Sequence, residues 1–127
     1  MKRTLLTSGM ILAVCLASLV AFAQTDSKVT YDGYLMDKMC SGEVMESKDP
    51  QKAAREHTKS CALMRSCVAS GYGIVSGGKF YAFDAHGNEL AKAMLKQTKK
   101  QHDLSIEVVG TPTEDGRIKV ESLKETK

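Results

Sequence analysis

The chain has 127 residues, 18 Lys and Arg against 15 Asp and Glu, 43% hydrophobic residues and four cysteines. That length and balance suit one folded domain and exclude collagen-like, low-complexity and acidic disordered chains. Composition alone names no activity.

Met1-Lys2-Arg3 is a basic start, and Leu5 to Phe22 is apolar apart from Thr7, Ser8, Gly9 and Ser18. Ala21-Phe22-Ala23 then supplies the small residues of a cleavage site, so residues 1–23 read as a secretory signal peptide removed before Gln24. A membrane anchor needs roughly 20 apolar residues without interruption. Lipidation at Cys15 would follow the bulky Val14. No stable membrane anchor is therefore expected, and the protein reads as exported, to a periplasmic or extracellular place. Taking Lys2 and Arg3 from the 18 basic residues leaves 16 against 15 acidic. A chain so close to neutral does not suit nucleic-acid binding, whose affinity comes largely from neutralised phosphates.

Val29 to Met36 alternates as a strand, with Gly33 predicting a bend or bulge. Met36 to Ser47 shows no period. Asp49-Pro50 can start a helix. From Gln51 to about Val68, residues Ala54, His57, Cys61, Met64 and Val68 recur at helical spacing, until Gly71 and Gly73 end the run. Tyr72–Ser76 and Lys79–Asp84 read as a hairpin around Gly77-Gly78. A turn at 85–88 leads to a helix from Glu89 to Lys100. Leu104–Gly110 and Arg117–Leu123 alternate around a turn at 114–117, and Lys124–Lys127 reads as a tail.

Five short strands with a helix between the third and fourth is the order of the OB-fold. The expected architecture is mainly β with two helices, a five-stranded OB-like barrel with a Cys-containing helical insertion between strands one and two. Residues 24–127 form that single domain. All three cysteines downstream of the signal peptide, Cys40, Cys61 and Cys67, fall in the insertion.

The run Gly33-Tyr34-Leu35-Met36-Asp37-Lys38-Met39-Cys40, then His57, Cys61 to Cys67, Gly71-Tyr72-Gly73 and Lys79 to Asp84, resembles a group of small exported bacterial proteins. Their mark is a Gly-x-x-x-Asp-x-x-Cys start and a His/Cys insertion in an OB-like domain. The resemblance implies the fold; the group has no assigned function, so none is carried over.

In an oxidising compartment three cysteines form one disulfide with a thiol left over, or act together as metal ligands. A Cys40–Cys67 bridge would close about 27 residues and contribute roughly 3–4 kcal/mol, and Cys61–Cys67 about 6 residues and roughly 2 kcal/mol. Cys40–Cys61 lies close to the first, and spacing does not choose among them. A leftover thiol would allow a thiol-linked dimer.

The metal reading takes Cys40, His57, Cys61 and Cys67 as ligands, because His57 and Cys61 stand four apart in the expected helix. Three thiolates and an imidazole suit zinc; nearby thioethers of Met36, Met39, Met45 and Met64 would favour copper. Asp37 is the expected outer partner that orients His57.

The functional expectation is a non-catalytic exported binding or structural module, its insertion held by a disulfide and able to take Cu or Zn. The alternative is a disulfide-stapled scaffold for a peptide or glycan. A thiol-redox enzyme is the third reading, without a Cys-x-x-Cys motif to support it.

Overall fold

The computed structural model describes residues 27–127; the signal peptide assigned to residues 1–23 lies outside the described residues. The elements in order are β1 (Val29–Asp37), α1 (Lys38–Glu46), α2 (Pro50–Glu56), α3 (Lys59–Ala62), α4 (Arg65–Ser70), β2 (Tyr72–Ser76), β3 (Lys79–Ala82), α5 (Ala85–Gln97), β4 (Ser105–Pro112) and β5 (Ile118–Glu125).

The strands form one antiparallel sheet in the order β3-β2-β1-β4-β5. It is an open sheet that forms no barrel, which corrects the five-stranded OB-like barrel expected from element order. One isolated parallel bridge, from Phe83 just beyond β3 to Ile118 in β5, lies between the two edges. β3 has only four residues, and Asp84 turns the chain at once into α5, so no strand remains to build a ladder against β5. Asp84 makes that turn by taking the Gly87 and Val120 amide N–H groups on its carboxylate, at 2.9 and 3.2 Å.

β1 is the central strand and changes partner along its length. Residues Val29 to Tyr34 pair with β4, and Tyr34 to Asp37 pair with β2. Gly33 sits at the changeover, where a Cβ would fall 2.0 Å from the Val75 carbonyl oxygen. Here glycine serves close backbone approach. The ladder irregularity expected at Gly33 lies instead in β4, between Val109 and Gly110.

The two expected helices become five among the described residues. The run Gln51–Val68 breaks into α2, α3 and α4 because His57 and Met64 are extended, with ψ of 137° and 145°. Thr58 then caps a new helix, its hydroxyl accepting the Cys61 amide at 3.2 Å. A capping threonine satisfies an orphan amide that continued helix would otherwise serve. α1, in the stretch without hydrophobic period, is started by the Asp37 carboxylate, which accepts the Cys40 amide at 2.9 Å. α5 begins at Ala85, four residues earlier than its period suggests, on the Asp84 cap. β5 runs on to Glu125, taking in two residues of the expected tail.

The main core joins Leu35, Ile74, Leu95, Leu104, Ile106, Val108 and Ile118, all nearly or fully buried. A second cluster of Met36, Ala54 and Val75 lies beneath α1 and α2. Met36 is thus core rather than a sulfur donor at the surface. Among the described residues, no helix is long and apolar enough to cross a membrane.

Candidate metal centre

Four chain segments converge where β1 ends. Asp37 is the last residue of β1 and is fully buried. Cys40 follows on the first turn of α1, fixed by the Asp37 cap. Cys61 rides on α3, whose start is tied to the segment after α5 by Lys59: its amide donates to the Gln101 carbonyl at 2.7 Å and its Nζ to the Thr98 carbonyl at 2.8 Å. Tyr72 in β2 holds the end of α3, its hydroxyl donating to the Ala62 carbonyl at 2.9 Å. Cys67 lies buried in α4. Ser70 links α4 to α1, accepting the Met39 amide at 3.0 Å and donating to the Cys67 carbonyl at 2.7 Å.

One ligand atom from each of Asp37, Cys40, Cys61 and Cys67 lies within 4.8 Å of the other three. The Cys40 and Cys61 sulfurs are 3.8 Å apart. In a tetrahedral zinc site with Zn–S bonds of about 2.3 Å, neighbouring sulfurs stand about 3.8 Å apart. The cluster therefore has the spread of a four-ligand set and needs an inward movement of at most about 1 Å to close on one ion.

The expected disulfide is not formed. Cys40, Cys61 and Cys67 are all free thiols, and the 3.8 Å between the Cys40 and Cys61 sulfurs is far from the bonded length of about 2.05 Å. Each sulfur has both others in reach, so the arrangement is a cluster, not a pair. Caps and hydrogen bonds hold the insertion in place of a covalent staple.

His57 takes a different place from that expected. The helix break at His57 and Thr58 removes the four-residue helical spacing to Cys61. The imidazole instead donates from Nε2 to Asp37 Oδ2 at 2.8 Å, with the His57 side chain only 9% exposed. The pairing of Asp37 with His57 was legible in the sequence; the entry of Asp37 itself into the ligand group was missed. Its signal was present, since Asp-x-x-Cys at a helix start turns the carboxylate and the fourth residue towards each other. Met39 and Met64 border the cluster in sequence but stand 58% and 55% exposed.

The electrostatics follow from burial around one carboxylate. Burial alone would raise the Asp37 carboxyl, but hydrogen bonds from His57, the Cys40 amide and Cys67 outweigh it and leave the group below its usual range. Burial first, and then the Asp37 charge, push the Cys40 and Cys67 thiols up. Tyr72 rises to about 12, through burial and then the charges of Asp37 and Cys67. Without a cation the site thus favours one carboxylate beside protonated Cys40 and Cys67 thiols. A bound cation reverses that preference, because thiolate is the ligand form.

Comparison with protein-family models, with curated proteins and with solved structures returns no match for this chain. The site is therefore read from its own chemistry.

Proposed function

We propose that this protein is an exported, non-catalytic module that holds one metal ion through Asp37, Cys40, Cys61 and Cys67, with zinc the preferred occupant. The carrying observation is the mutual approach of four ligand atoms from four chain segments within 4.8 Å. Four protein ligands fill a tetrahedron and leave no open position for substrate, the mark of a structural zinc site. The ligand type also favours zinc over copper. A carboxylate oxygen beside three sulfurs suits a borderline divalent ion, whereas Cu(I) selects wholly soft sets. The export part rests on the leader pattern of residues 1–23 and on the resemblance to small exported proteins.

The test is anaerobic titration of the reduced full chain with Co²⁺ and Zn²⁺, followed by elemental analysis. One equivalent per chain is expected, with intense visible bands for tetrahedral cobalt bound by sulfur. A Cys40→Ser/Cys61→Ser/Cys67→Ser variant that binds as much metal as the parent would overturn the reading. Tighter uptake of Cu(I) than Zn²⁺ would reassign the occupant to copper. For export, the chain recovered from the periplasm should begin at Gln24; recovery only in the cytoplasm with residues 1–23 attached would contradict it.

A further inference from the structure

We propose that Cys40 and Cys61 form a thiol–disulfide exchange site inside the metal centre, through which a small-molecule disulfide ejects the ion. The proposal rests on the metal reading above and adds how that site is regulated.

The three thiols are not equivalent. Cys40 and Cys61 are half-buried and in direct sulfur–sulfur contact at 3.8 Å, whereas Cys67 is only 3% exposed. A small disulfide therefore reaches the first two and not the third. The backbone around them differs as well. Cys40 is held by the Asp37 cap at the end of the central strand, while α3, which carries Cys61, has four residues and non-helical chain on either side. Bringing the sulfurs to bonding length requires an approach of about 1.8 Å. That approach shifts the one-turn α3 against its ties to Gln101, Thr98 and Tyr72, while the Asp37 cap keeps Cys40 in place.

The exchange balances as two displacements. One thiolate, from Cys61 for example, attacks a sulfur of the small disulfide RSSR; the RS–SR bond breaks, a Cys61–S–SR bond forms and RS⁻ leaves. The Cys40 thiolate then attacks the Cys61 sulfur, the bond to SR breaks, and a second RS⁻ leaves. Each cysteine sulfur is oxidised by one electron, and RSSR is reduced by two electrons to two thiolates. The metal keeps its charge. It is left with Cys67 and Asp37, two ligands where four held it, and departs. Metal binding and the Cys40–Cys61 bridge thus exclude each other, so the ion protects these thiols in an oxidising compartment.

The experiment treats the zinc-loaded full chain, and separately the reduced metal-free chain, with oxidised glutathione. Zinc release is followed with a coloured chelator and the bridge located by peptide mass mapping. In the loaded chain, one zinc should leave for each Cys40–Cys61 bridge formed, with Cys67 still alkylatable after denaturation and no glutathione retained. Zinc kept by a chain bridged at Cys40–Cys61, a bridge that includes Cys67, or a lasting glutathione adduct would overturn the proposal. Cys67→Ser should still bridge; failure of that folded variant to do so counts against the assigned pair. If the chain takes up no zinc at all, the metal reading fails and the ejection with it. The metal-free sample still judges the exchange site: bridging at Cys40–Cys61 upholds it, and no bridging overturns it.

Discussion

His57 Nε2 lies 2.8 Å from Asp37 Oδ2, joining a nearly buried imidazole to a fully buried carboxylate at the point where three thiols meet. A partner of this kind fixes the carboxylate's orientation and keeps it in the ionised form that a cation needs. His57→Ala is expected to lower zinc affinity about 10- to 100-fold while keeping one equivalent per chain. His57→Gln, which retains a donor, should recover part of the loss. Competition titration against a chelator of known strength measures both. An unchanged affinity in His57→Ala would show that Asp37 needs no orienting partner.

Asp37→Asn separates charge from capping, because asparagine also caps helices well. The metal should be lost while α1 persists. The Asp37 charge is one of the causes raising the Cys40 and Cys67 thiols, so both should ionise at lower pH in the metal-free variant. Alkylation rates followed against pH report this. A midpoint that stays in place would mean that burial and Cys61, not the Asp37 charge, set the thiols.

The raised thiols also fix how stability depends on pH in the reduced metal-free chain. Their folded values lie above the ordinary 9.0, so their contribution is whole below pH 9 and drains away as pH rises beyond it. Asp37 acts at the other end: its folded value is lowered, so its contribution is present above the ordinary carboxylate value of 3.8 and falls away in acid. Denaturant melts across pH should therefore show losses on both sides of a neutral plateau. In Cys40→Ala the alkaline loss should shrink.

In the β4–β5 turn, hydrogen bonds from Arg117 and then Thr113 hold Asp115 down to about 2. Arg117→Ala should return the carboxyl towards 3.8, as read by NMR titration of its side-chain carbon. Since the folded value is the lower one, the turn's stabilisation exists above the ordinary carboxylate value and disappears as pH falls towards 2.

Two glycines give opposite expectations. At Gly33 a Cβ would collide with the Val75 backbone, so Gly33→Ala should destabilise by about 1–3 kcal/mol or more. Gly42, inside α1, has nothing within 4 Å of an added Cβ. Gly42→Ala should stabilise by about 0.5–1 kcal/mol. Chemical denaturation distinguishes the two; equal effects would place the close approach of β1 and β2 elsewhere.

The strands were largely legible because period-two alternation and Gly-Gly or Asp-Gly turns are local signals. Val29, Tyr72, Lys79 and Leu104 each stood at or next to a true strand start. Whether the sheet closes is not local: it depended on β3 stopping at Ala82 and on Asp84 reaching across to Val120. Within the insertion, the hydrophobic period carried across His57 and Met64 suggested one continuous helix. Capping by Thr58 and the pull of Asp37 on His57 outweighed it. The three cysteines were recognised as a unit, since they shared one segment. The fourth member of the cluster was not, because the place of Asp37 depends on a strand end, a helix cap and two later helices meeting at one point.

The central position of β1 gives the candidate metal centre an uneven footing. Asp37 is paired with Tyr72 at the end of the central strand, while Cys40, Cys61 and Cys67 ride on three separate short helices. An arriving ion would thus find one post set in the sheet and three arms carried by the insertion. Its capture would tighten the arms and leave the post as it was: slowed amide exchange is expected across residues 38–70, against little change in β4 and β5. The sheet then serves as a fixed anvil, and the insertion alone records whether the ion has come or gone.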